Sequence, residues 1–162
     1  MNAGRLRYKR PGQAPPRAFT LHFRTMTRGP AARDPACAVC RSLAGPNLYE
    51  DDLWCVRSAD PAGVPGWMMI AQRHVAGPAH FDEREAATFG LALRHFERVL
   101  AQVTGAGRIC TATMAESSPH FHAHVAPLRR AVDGSEVPID RAEVTRISEA
   151  YRRALARAPR SW

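Results

Sequence analysis

Three of the seven histidines fall within one short stretch, His120, His122 and His124 in PHFHAHVAPL. Successive side chains of a strand point to opposite faces, so this alternation puts the three imidazoles on one face and Phe121, Ala123 and Val125 on the other. The second set is small or apolar and suits a core. The first presents three imidazoles to a surface or cleft. Three chemistries fit such a face: metal binding, phosphate binding, or histidine acting as nucleophile and base near neutral pH.

A second cluster is Cys37-Ala-Val-Cys40. One turn at this spacing supplies two thiolates, and thiolate with imidazole suits tetrahedral Zn²⁺. Two more ligands are needed, and His74, His80 and the histidine triplet are available. His22 lies in the N-terminal segment, and His95, beside Arg94 and Glu97 on a helix, reads as exposed. Cys55 and Cys110 read as small buried residues of strands. In a reducing compartment a Cys-x-x-Cys pair signals metal or redox chemistry more than a structural bridge. No apolar run before a small-residue cleavage site marks an export signal, so the expected location is cytoplasmic.

These residues need elements to hold them. Residues 48–50 and 53–57 suggest two short strands joined at Asp51-Asp52. Residues 58–66, SADPAGVPG, form a loop ending in a Pro65-Gly66 turn, and 67–71 is a buried strand by its continuous apolar character. Asp82 and Glu85 form a capping-box pattern, followed by Phe89, Leu93, Phe96, Leu100 and Val103 in one apolar stripe, with Gly105 as the stop. Residues 109–114 and 121–125 read as two more strands. A last helix runs over 141–158, capped by Asp140, with Val144, Ile147, Tyr151 and Leu155 on its inner face and Arg152, Arg153 and Arg157 toward its C-terminal end. Strands and helices fall in blocks, which predicts an α+β domain with a largely antiparallel sheet.

The chain has 162 residues, 45% of them apolar and 23% charged, which fits one globular domain,. No apolar run approaches the ~18 residues of a membrane span. The formal charge of +8 is unevenly placed. Residues 1–34 hold eight basic groups against the single acid Asp34, a net +7, which leaves +1 for residues 35–162. The basicity belongs to a Pro- and Arg-rich extension, 1–34, expected to be disordered, with Met26 as a candidate true start. A near-neutral domain argues against nucleic acid as its partner.

The triplet with its following residues, HFHAHVA at 120–126 and then Pro127, resembles the signature of the histidine-triad (HIT) family. Weaker motifs follow in the family's order: Cys37-x-x-Cys40, LYEDD at 48–52, and PGWMMIAQRH at 65–74. The resemblance covers about residues 37–130. It implies a HIT-like fold, a five-stranded antiparallel sheet with a long central helix and a C-terminal helix, and a homodimer. It also implies nucleotide hydrolysis or nucleotidyl transfer on a nucleoside phosphoanhydride, phosphoester or phosphoramidate, as in dinucleoside polyphosphate hydrolases. By the resemblance, the middle histidine that attacks the α-phosphate to give a nucleotidyl-histidine is His122. His124 is then expected to donate to a phosphoryl oxygen and Ser117 to add a hydroxyl, and Asp60 is a candidate contact for the ribose. In zinc-containing members the corresponding ligands are Cys37, Cys40, His74 and His120, and the metal is structural because protein fills all four positions.

The chain departs from the family pattern at three places. The loop before the triad is short and free of glycine, Glu116 stands where glutamine is frequent, and Trp67 stands where histidine is common. The alternative implied by these departures is a catalytically weak, zinc-stabilised nucleotide-binding or regulatory module.

Overall fold

The computed structural model describes residues 32–59, 65–113, 118–128, 139–160 and 162. Asp60, Glu116 and Ser117, and the tail before residue 32 with Met26, lie outside the described residues. A short helix α1 (Ala38–Ser42) precedes strands β1 (Tyr49–Glu50), β2 (Trp54–Ala59) and β3 (Gly66–Ala71). The long helix α2 (Glu83–Thr104), strands β4 (Arg108–Thr113) and β5 (His122–Leu128), and helix α3 (Arg141–Arg157) follow. The strands form one five-stranded sheet in the order β1-β2-β3-β5-β4, antiparallel at every pairing. The fold is α+β, as the block pattern predicts.

Local chemistry sets the element ends. Asp51 turns β1 into β2 by accepting from the Leu53 and Trp54 amides, each at 2.8 Å,. The capping box at α2 is complete, with the Asp82 side chain on the Glu85 amide and the Glu85 carboxylate on the Asp82 amide,. Gly105 ends α2 at φ 67°, a left-handed conformation in which a Cβ is disfavoured,. Asp140 caps α3 through the Glu143 amide at 2.7 Å,. Pro127 lies within β5, yet past Val125 only β4 flanks that strand, so one side of it is already an edge,. Helix α1 was not legible, because a five-residue segment is too short to show an apolar period,.

The core lies between one sheet face and the two long helices. Ala123 and Val125 join it from β5, with Phe121 just before that strand, and Val144, Ile147, Tyr151 and Leu155 from α3. Trp67 is fully buried there. Its indole N–H donates to Ser148 Oγ at 3.0 Å, its ring meets the Tyr151 ring edge-on, and the Tyr151 hydroxyl donates to the Phe96 carbonyl at 2.9 Å. The tryptophan therefore ties the sheet to α3, and α3 to α2. Its departure from the family pattern alters the helix-covered face, opposite the one that carries His122 and His124.

Two expectations fail. Cys55 is buried, and burial pushes its thiol up to about 12, but Cys110 is exposed. It sits on the outermost strand β4, on the face that the helices leave uncovered. His95, read as exposed, is 3% exposed. The Trp162 ring lies 5.1 Å from it, held by an indole N–H to the Asp51 carboxylate at 3.3 Å. That cover comes from residues far away in sequence. No helix among the described residues is long and apolar enough to cross a membrane.

Candidate metal centre and histidine site

The two clusters meet where β3 ends and β5 begins. Ala71 closes β3, and its amide donates to the Phe121 carbonyl at 3.3 Å, while the Phe121 amide donates to the Val75 carbonyl at 2.6 Å. These bonds bring the 72–75 segment beside residues 120–121. Residues 32–34, grouped with the tail on composition, are tied in as well. The His74 amide donates to the Ala32 carbonyl at 2.9 Å, and Arg33 donates to the Gln72 side chain at 2.8 Å. Arg73 clamps the same segment to the start of α2 through the fully buried Glu85, at 2.6 Å. This ion pair escapes sequence reading, since nothing local in Gln-Arg-His marks its partner.

Strand β5 begins at His122, so strict alternation governs His122 and His124 alone. His120 lies before the strand and turns to the thiols. Its Nδ1 is 3.1 Å from Cys40 Sγ and 3.9 Å from Cys37 Sγ, and His74 Nδ1 is 3.3 Å from Cys40 Sγ. The ligand atoms of Cys37, Cys40, His74 and His120 all lie within 4.8 Å of one another. Zn–S and Zn–N bonds of about 2.3 and 2.0–2.1 Å imply tetrahedral edges of roughly 3.3–3.8 Å, so the four atoms lie close enough together to draw in around one zinc ion,. His120 Nε2 lies 2.7 Å from the Ala71 carbonyl. A carbonyl only accepts, so Nε2 carries the proton and Nδ1 offers its lone pair, as a ligand must. His80 is exposed at the end of a short 3-10 turn and is not a member of this group.

The two thiols are perturbed in opposite directions. Burial pushes the Cys37 thiol up, but the Cys40 and Val39 amides and Ser118 outweigh it and lower its pKa. Burial, together with the neighbouring Cys37, raises that of Cys40. Ser118 lies 3.9 Å from Cys37 Sγ, and its hydroxyl accepts from the His120 amide at 3.3 Å. Sequence reasoning singled out Ser117 and passed over this residue.

His122 is set the other way round. Its Nδ1 lies 2.8 Å from the His120 carbonyl, so Nδ1 holds the proton and the Nε2 lone pair is left for chemistry,. The ring is mostly buried and meets the His124 ring edge-on, with centroids 5.2 Å apart. Burial first, and then His122, lower the pKa of His124, which keeps it a neutral donor near pH 7,. A cavity of about 60 Å³ opens beside His122, with Gly77, Thr113 and Phe121 among its walls.

No family model matches the chain, and no curated protein does. Solved structures do. A zinc-bound histidine-triad family protein from Mycobacterium smegmatis is 21% identical at a TM-score of 0.58, over 76% of this chain and 98% of that one. A histidine-triad protein from Bradyrhizobium japonicum is 21% identical at 0.53, over 67% and 88%. A hypothetical histidine-triad nucleotide-binding protein from Sulfolobus tokodaii is 15% identical at 0.55, over 73% and 88%. The fold is that of the histidine-triad proteins.

Proposed function

We propose that this chain is a histidine-triad enzyme, a nucleotide hydrolase or nucleotidyl transferase that works through a nucleotidyl-histidine on His122. The observation that carries the reading is the 2.8 Å contact between His122 Nδ1 and the His120 carbonyl, which assigns the proton to Nδ1 and the free lone pair to Nε2,. Nε2 attacks the α-phosphorus of a nucleoside phosphoanhydride, phosphoester or phosphoramidate, and the bond from phosphorus to the leaving group breaks with its electron pair. Water, or another acceptor, then displaces the nucleotide from His122 and restores the imidazole. His124, on the same strand face, donates to a phosphoryl oxygen as charge develops. Ser117 and Asp60 remain the expected phosphate and ribose contacts.

Cys37, Cys40, His74 and His120 would hold one structural Zn²⁺, whose chemistry is to cross-link the 32–40 segment, the end of β3 and the start of β5. It would thereby fix the carbonyl that orients His122. Free thiols are needed for such a site, in keeping with a cytoplasmic protein. A homodimer is part of the proposal, supported by β4, which has no partner beyond β5 among the described residues,.

The test is a panel of adenosine phosphoramidate and dinucleoside polyphosphates, with acid-free quenching and mass spectrometry of the intact protein. A nucleotide adduct mapped to His122 is the expected result. Binding without any adduct or turnover would make the chain a nucleotide-binding module, and absence of binding would remove the nucleotide from the account.

A further inference from the structure

The site's sheet face carries a charge that the reaction above does not use. Arg57 on β2 pairs with Met68 on β3, and Met68 pairs with His124 on β5. Directly opposed residues share a face, so Arg57, Met68 and His124 form one row across three strands. Adjacent strands are ~4.8 Å apart, so the outer two are separated by roughly 10 Å, about the length of a nucleoside monophosphate from its phosphate to the far edge of its base. The neighbouring row, Cys55, Ile70 and His122, is covered at its β2 and β3 positions by Leu43, just after α1. A wall thus runs beside the Arg57 row and leaves His122 at the phosphate end.

Arg57 is held in place. Its guanidinium donates to the Ser42 carbonyl at the end of α1, and a side chain at position 45 would press on it, where the chain has glycine. It is half-buried, and among the described residues no carboxylate lies within ion-pair distance of it. Among the described residues the Ser42 carbonyl is its one hydrogen-bond partner, which leaves four of its five N–H donors without a partner there,. Met68, half-buried against the Leu43, Cys55 and Ile70 group, is the residue between Arg57 and His124. A thioether floor suits the face of an aromatic ring and offers nothing to a chain of phosphates.

We infer that Arg57 reads the edge of the nucleobase and makes the site selective for 6-oxopurine nucleotides, those of guanine and hypoxanthine, over adenine nucleotides. This rests on the nucleotide reading of the site. With the α-phosphate between His122 and His124, the base lies on Met68 and its outer edge meets Arg57. Guanidinium offers donors only. Guanine presents two acceptors, O6 and N7, whereas adenine sets an amino donor beside N7 and leaves one guanidinium N–H opposed to another donor.

The experiment is calorimetric titration of GMP, IMP and AMP into the zinc-loaded wild type, Arg57→Met and Arg57→Lys. Wild type is expected to bind GMP and IMP roughly ten- to a hundredfold more tightly than AMP. Arg57→Met should bring the three to parity by weakening GMP and IMP while leaving AMP nearly unchanged. Should the methionine variant melt early or lose zinc, Arg57→Lys, which keeps charge and stem, is read in its place, with a reduced but surviving preference. Equal binding of GMP and AMP by wild type would overturn this inference and leave the hydrolase reading intact. An equal loss of all three nucleotides in Arg57→Met would also overturn it, since the group would then serve phosphate. Binding of none of them to wild type would remove the nucleotide reading and this inference with it.

Discussion

His120 and His122 are two residues apart on one backbone, yet they are set up for opposite work. In His120 the Ala71 carbonyl accepts from Nε2–H, and Nδ1 faces two thiols. In His122 the His120 carbonyl accepts from Nδ1–H, which leaves the lone pair on Nε2 of a ring that lines the cavity. The side chains are identical, so the difference lies in which ring nitrogen the backbone claims. The four-residue cluster and the nitrogen proposed to react are also in series, because the carbonyl that orients His122 belongs to His120, a member of that cluster.

The largest break in that comparison is removal of the open nitrogen. His122→Ala should reduce turnover of the best substrate by about six orders of magnitude, the scale of losing a covalent nucleophile. Its zinc content and melting temperature should stay near wild type, because the ring is not a ligand. His122→Asn should behave alike. His124→Ala comes next. It removes one donor, and loss of one such donor costs about 2.7–4 kcal/mol, or 10²–10³ in kcat, in comparable sites. Steady-state kinetics on both variants would check the order, and equal losses would place the two histidines in one role.

Removing the metal attacks the other half. Zinc at a hundred times its Kd stabilises by ~2.7 kcal/mol. In a protein of this size that corresponds to a melting temperature roughly 5–11 °C higher than after chelation. Differential scanning calorimetry of the chelated and reloaded protein reads this directly. An unchanged transition would show that the four-residue cluster is not a metal site.

His95 sharpens the comparison as a buried histidine with neither role. Among the described residues both of its ring nitrogens are buried without a hydrogen-bond partner. Burial first, then Arg98 and Arg160, lower its pKa. The folded state therefore binds this proton less readily than the unfolded chain. Its share of stability is present above the usual histidine pKa of about 6.5 and is lost as pH falls below it. The loss is at most about 1.4 kcal/mol per pH unit from this one group. Melting curves from pH 7.5 to 5 should fall more steeply in wild type than in His95→Phe. Parallel curves would mean that His95 already carries a partner.

Much of the frame is written locally and was therefore legible. The Asp82 and Asp140 caps, the stripe from Phe89 to Val103 and the alternation at His122 to Val125 are each carried by residues within a few positions of one another. The cluster members were legible as residue types, but their convergence needed the β3 and β5 register. What escaped depends on distant partners. The burial of His95 is supplied by Trp162, and Arg73 is tied to a carboxylate on α2. Arg57 reads as an ordinary strand arginine until the sheet places it in a row with His124. Cys110 failed for a related reason: its strand was foreseen, but nothing in the local sequence says that β4 is outermost.

The central claim is that opposite tautomers divide the work between His120 and His122. Long-range ¹H–¹⁵N correlation of ¹⁵N-histidine-labelled, zinc-loaded protein measures this ring by ring, with His120→Cys and His122→Asn to assign the signals. The account predicts a protonated Nε2 with a metal-bound Nδ1 for His120, and a protonated Nδ1 with a bare, unprotonated Nε2 for His122. A protonated Nε2 on His122 at neutral pH would contradict it.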